Sequence, residues 1–176
     1  MSSPQLDSTT VAERPSKPDE PMVVITRVYN APRELVFRAW TDSQHLARWY
    51  APRGCTIEFR TLEFRVGGTF HSCIRIPDGK KCWCTGVYRE IVAPERIVFT
   101  MAIADEAGRV MNAVDVGMDP EWPQETTVTV TFTAQGGQTL LTLHQTVSES
   151  LAKRTGAHPS WIQMLDRLAE SVATLA

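Results

Sequence analysis

The sequence of 176 residues has no apolar run long enough to cross a bilayer, and its N-terminus lacks the basic-then-apolar pattern of a secretory signal. Those absences point to a soluble protein of the cytoplasm, without membrane insertion. Charge of one sign is also missing: the formal charge is −2, the isoelectric point is near 6.1, and Lys and Arg are scattered. Such a surface offers no field for a phosphate backbone, so no nucleic-acid partner is expected. No repeat of fixed period appears. No glycine motif suited to cradling phosphate appears either, because Gly67-Gly68 and Gly136-Gly137 fall at turns between strand-like runs. Four histidines stand without a carboxylate at a spacing that would make a triad. Four cysteines, Cys55, Cys73, Cys82 and Cys84, sit in a chain without an export signal, where reduced thiols are the default.

What is present suits one domain, since 43% hydrophobic and 22% charged residues can build a single core but not two comfortable ones. Met1 to Pro21 is polar and rich in proline, and reads as a disordered tail (1–21) before the domain proper (22–176). Met22 to Tyr29 alternates about Val24 and Val28 as a first strand. Asn30-Ala-Pro-Arg-Glu opens a helix through Leu35, Val36, Ala39 and Trp40, and Thr41 with Gln44 has capping-box spacing before a second short helix with Leu46, Trp49 and Tyr50. From Thr56 onward the pattern has period two. A change of phase between Ile57-x-Phe59 and Leu62-x-Phe64 predicts a bulge, and Asp78-Gly79 and Gln135-Gly-Gly predict hairpins. Asp105 to Gln124 has no clear period and reads as an inserted loop. At the end, Trp161, Leu165, Leu168, Val172 and Leu175 recur at helical spacing. A strand, two short helices, a run of antiparallel strands and a long helix predict an α+β domain whose last helix covers a curved sheet.

Several blocks in order carry a family resemblance: Asn30-Ala-Pro-Arg-Glu-Leu-Val-Phe-Arg-Ala-Trp-Thr-Asp, His45-Leu-Ala-Arg-Trp-Tyr-Ala-Pro, Gly67-Gly-Thr-Phe, Pro77-Asp-Gly, Gly86-Val-Tyr-Arg-Glu-Ile, Pro94-Glu-Arg-Ile-Val-Phe-Thr and Trp161-Ile-Gln-Met-Leu-Asp-Arg-Leu-Ala. From Met22 to Ala176 the chain resembles the SRPBCC, or START-like, proteins of the heat-shock protein 90 ATPase activator-homologue type. The resemblance implies a helix-grip fold with an apolar cavity between helix and sheet. Small-molecule binders, aromatic polyketide cyclases and a co-chaperone domain share that scaffold. The eukaryotic co-chaperone has a separate N-terminal domain that contacts its chaperone, and no segment of that size stands here, so a chaperone partner is not the expected role. Tyr50 replaces a frequent second Trp, and the 105–124 segment is long for the family.

A two-residue turn at Asp78-Gly79 pairs Ile74 with Trp83 and Ser72 with Thr85, which places Phe70, Ser72, Ile74, Trp83, Thr85 and Val87 on the cavity face. The same register collects His71, Cys73, Cys82 and Cys84 on the outer face, where zinc ligation or a Cys73–Cys84 disulfide has to be weighed. That outer face, with Cys73, Cys82 and Val98, also offers a surface for a homodimer. The aromatics serve either as core, each contributing roughly 1.5–3 kcal/mol when buried, or as cavity lining. Gln145 shares a strand face with Leu141 and Leu143 and can hydrogen-bond a ligand. The expected ligand residues are Trp49, Phe70, Ser72, Ile74, Trp83, Thr85, Met101, Phe132, Gln145, Trp161, Leu165 and Leu168. The expected function is binding of a small apolar molecule, with no cofactor, no metal and no catalytic residue. A cyclase- or hydrolase-like enzyme, or an interaction module, are the alternatives.

Overall fold

A computed structural model describes residues 20–175. Its strands are β1 (Met22–Tyr29), β2 (Thr56–Leu62), β3 (Thr69–Arg75), β4 (Lys81–Val92), β5 (Arg96–Ala104), β6 (Glu125–Gln135) and β7 (Gln138–Ser148). They form one antiparallel sheet in the order β1-β7-β6-β5-β4-β3-β2. The helices are α1 (Arg33–Arg38), α2 (Ser43–Leu46), α3 (Glu149–Thr155) and α4 (Ala157–Leu175). α1 and α2 carry the chain from one edge of the sheet to the other, and α4 covers the concave face, which is the helix-grip arrangement. Among the described residues no helix is long and apolar enough to cross a membrane.

Local chemistry sets the element ends. Asp42, not Thr41, caps α2: its carboxylate accepts from the backbone N–H of His45 at 2.8 Å, while the Thr41 hydroxyl donates to the Arg38 carbonyl. Ser148 caps α3 by accepting from the Leu151 N–H. Gly156, at φ +86°, separates α3 from α4, so the C-terminal region is two helices. The predicted disordered tail lies outside the described residues except for Glu20 and Pro21, and these two are fastened to α3. The Glu149 N–H donates to the Pro21 carbonyl at 2.8 Å and the Ser150 hydroxyl bonds the Glu20 carboxylate.

The inward positions are Val23, Ile25 and Tyr29 on β1, Ile97 and Phe99 on β5, Val128, Val130 and Phe132 on β6, and Leu141 and Leu143 on β7, all buried. On β1 the exposed phase is Val24 and Val28, because Val23-Val24-Ile25 is apolar in both phases and alternation alone cannot choose between them. Trp161, Met164, Leu165, Leu168 and Val172 of α4 meet this floor. Polar contacts on the other sides of α4 fix its position. The Tyr29 phenol donates to the Leu165 carbonyl at 2.9 Å, and Arg167 donates to the carbonyls of Ala51 and Arg48 beyond α2. Asp166 meets Arg27 and Glu170 meets Arg53 on the exposed side of the helix.

Two features of the sheet decide which side chains reach the interior. The predicted bulge in β2 is present, as a register shift between Phe59 and Thr61. The hairpin between β3 and β4 has three loop residues instead of two. The Ile76 carbonyl accepts from the Gly79 N–H, the Ile76 N–H donates to the Lys80 carbonyl, and Gly79 takes φ +93°. That order suits Pro77 as the second residue of the turn, with glycine in the left-handed position that closes it. The extra residue moves the register by one. Ser72 therefore faces Cys84, Cys73 faces Trp83 and Ile74 faces Cys82.

Candidate ligand cavity

Three lobes that share lining residues lie along the concave face of the sheet, and α4 roofs the second of them. The inner lobe, with about 20 Å³ of free space, is lined by Trp40, Leu46, Tyr50, Phe59, Phe70, Tyr88 and Phe99. Gly86 makes its floor possible, because a Cβ there would sit 1.9 Å from the Thr100 carbonyl and 2.4 Å from the Phe70 ring. Tyr50 links this lobe to a second of about 130 Å³, which adds Ile74, Met101, Trp122, Ala157, Trp161 and Met164. Met101, Trp122 and Gln145 are shared with a third, of about 150 Å³, bordered by Cys84, Ile103, Met118 and Thr126. Among the described residues, no Asp, Glu, Lys, Arg or His lines any of the three.

Gln145 is the polar centre. It is 2% exposed, its Oε1 accepts from the Trp161 indole N–H at 2.9 Å, and its Nε2 donates to the Thr126 hydroxyl at 3.1 Å. Because an indole N–H only donates, the amide orientation is fixed and α4 is joined to β6 and β7 through one side chain. Tyr50 stands between Trp40 and Trp161, with ring centroids 6.1 and 5.8 Å away and both pairs edge-to-face. Burial raises the Tyr50 and Tyr88 phenols above their ordinary range and pushes the Cys84 thiol up to about 12. At neutral pH all three are protonated.

The mouth is shaped by the 105–124 segment, which has more structure than its lack of period suggests. Asp105 and Arg109 close a tight turn, Val110 bridges back to Ala104, and Ala113–Val116 form a single 3-10 turn. Further on, Arg154 of α3 meets Asp119 at 3.1 Å and Glu121 at 2.8 Å. This pair of contacts fastens the turn that carries Trp122, half-buried between the second and third lobes.

Residues 30–173 match the family described as Activator of Hsp90 ATPase homolog 1-like protein. The chain belongs to that family. Solved structures agree on the fold. A crystal structure of a Chromobacterium violaceum protein is 26% identical, covering 86% of this chain and 96% of its own, at TM-score 0.69. A solution structure from Arthrobacter aurescens is 23% identical, covering 86% and 85%, at TM-score 0.73. A Silicibacter pomeroyi structure titled AHSA1 is 17% identical, covering 89% of this chain and all of its own, at TM-score 0.67. No curated protein matches the chain.

Within this Hsp90-activator-homologue domain, Phe70, Ile74, Met101, Gln145 and Trp161 line the cavity. Trp49, Phe132, Leu165 and Leu168 are fully packed elsewhere in the core, Trp49 with its indole N–H on the Ala39 carbonyl at 3.0 Å. Ser72 is buried at the level of Phe59 and Cys84. Trp83 borders the third lobe, but its ring is engaged on the convex side, with the Arg60 guanidinium 4.6 Å above it and His71 5.0 Å away. Thr85 shares that side, and its hydroxyl donates to the Phe70 carbonyl. The one-residue register shift is the cause in both cases. It also divides the expected cysteine cluster: His71 and Cys73 face outward, Cys82 and Cys84 inward, and all four thiols are free. The proposed dimer surface loses Cys73 and Val98, which are buried at 1% and 9% exposure. Tyr50, Cys84, Tyr88, Met118, Trp122 and Met164 are lining residues that patterning missed. For Met164 a signal existed, since it follows Trp161 by three positions on a helix.

Proposed function

We propose that this protein binds a small apolar molecule in the space between α4 and the sheet. The observation that carries the reading is a set of neighbouring lobes, bounded by aromatic rings and methionines and without a charged lining residue, where close packing is expected. Met101, Met118 and Met164 supply side chains that adapt to a guest, and Gln145 supplies a fixed polar reference point. The four free cysteines suit a reducing cytoplasm.

Native mass spectrometry of freshly purified protein, followed by a thermal-shift series with uncharged aromatic and aliphatic compounds, tests the reading. A co-purified small molecule or a concentration-dependent rise in Tm supports it. A bare mass together with no stabilisation by any class would sink it, most directly if Met101→Phe, which fills the shared wall of two lobes, then raises Tm.

A further inference from the structure

The cavity lining holds polar groups that the protein leaves unshared, each able to donate a hydrogen bond. Trp40 is 3% exposed and lines the inner lobe, yet its indole N–H reaches no acceptor. Other buried donors behave otherwise: the Trp49 indole donates to the Ala39 carbonyl, Trp161 to Gln145, and the Tyr29 phenol to the Leu165 carbonyl. Tyr50 and Tyr88 line the same lobe at 7% and 5% exposure. Among the described residues neither phenol has a hydrogen-bond partner, and of the three groups the Trp40 N–H is the one cut off from solvent as well; burial raises both phenols, with Cys84 and Tyr88 adding to the effect at Tyr50. Gln145 gives one amide hydrogen to Thr126 and has a second to give. A buried donor without an acceptor is costly, and native interiors seldom keep one without a reason.

The remaining lining narrows the guest further. A carboxylate or ammonium group would lose its hydration among these rings with no opposite charge to meet it. Tyr50, Trp122 and Trp161 line the second lobe, and three aromatic rings suit a flat π-system. Room for about one oxygen atom, some 20 Å³, remains beside Trp40, Tyr50 and Tyr88. We propose that the ligand is an uncharged aromatic molecule bearing a carbonyl-type acceptor oxygen, which enters the inner lobe and takes the donors of Trp40, Tyr50 and Tyr88. This rests on the binding reading above and adds the class of ligand.

Three probes on one skeleton separate the two ideas: 2-acetylnaphthalene, 2-ethylnaphthalene and 2-naphthoate, titrated at pH 7.5 by ligand-observed NMR. The ketone should bind about tenfold tighter than the hydrocarbon, the scale of one buried donor regaining its acceptor, and the anion weakest of the three. In a nitrogen-15 spectrum only the ketone should move the Trp40 indole signal downfield, that signal being assigned with Trp40→Phe. Tyr50→Phe with Tyr88→Phe, which keeps both rings, should bring the ketone down to the level of the hydrocarbon. Should that double variant fail to fold, the Trp40 signal in the unaltered protein still decides. Equal binding of ketone and hydrocarbon, or tightest binding of the anion, overturns the acceptor inference and leaves cavity binding standing. No binding by any of the three overturns the acceptor inference, and the thermal-shift series then decides cavity binding.

Discussion

The two halves of α4 rest on different kinds of interior. Toward its C-terminus Leu165 and Leu168 have no exposed surface, and Arg27, Tyr29 and Arg167 fasten the backbone and flanks around them. Toward its N-terminus Trp161 and Met164 border open space, and among the described residues the hydrogen-bonded tie to the sheet is Gln145. Side chains of similar size serve both halves. The difference lies in what opposes them: closed strand pairs and α1 on one side, and on the other the 105–124 segment, which approaches as a loop and leaves gaps. A rigid half holds the helix so that the other half can tolerate an unfilled volume.

That contrast can be broken most directly by truncation at its firm end. Leu168→Ala should cost about 2–5 kcal/mol, while Met164→Ala, which only enlarges an existing lobe, should fall at or below the lower limit of that range. Urea unfolding with unchanged m-values would check both, and equal costs would mean that the two halves are packed alike. Next in size, Gln145→Leu strands the Trp161 indole N–H and should cost about 1–3 kcal/mol, whereas a mere rim position would show almost nothing.

Alkaline pH sharpens the comparison through Cys84. Its thiol titrates at 9.0 in an ordinary setting and at about 12 in the fold. A raised folded value means that the native state keeps its proton longer, so this contribution to stability is complete below pH 9 and is lost as pH climbs toward 12. Cys84→Ala should therefore flatten the decline of Tm above pH 9, and an unchanged slope would place the liability elsewhere. The smallest effect belongs to Arg154→Ala. Exposed ion pairs contribute about 0.2–1 kcal/mol each, so Tm should move little, but acrylamide quenching of Trp122 should increase as its turn loosens.

Particular residues show what patterning could and could not read. The order of elements, the bulge in β2, the Gly136-Gly137 turn and the α4 stripe follow from period and turn chemistry, and all are present. The Asp78-Gly79 turn was legible as a turn but not in length. Pro77 inside or outside the loop changes the count by one, and with a period of two that single residue exchanged Trp83 and Thr85 for Cys84 and Gly86 on the concave face. Trp122 was beyond reach for another reason: it lies in a stretch without period, and its position depends on Arg154, distant in sequence. Tyr50 stood out only as a departure from the family pattern, and its place at the junction of two lobes needed the third dimension.

The pairing of β1 with β7 bears on the order in which the cavity can come into being. β2 to β6 join neighbours in sequence, so most of the sheet can zip locally, but β1 must wait, unpaired at the near edge, until β7 has been synthesised. Only after that can α3 and α4 turn back across the concave face. The enclosure is thus completed by its roof, and until late in synthesis the Gln145 side of the sheet is open to whatever apolar molecule is nearby.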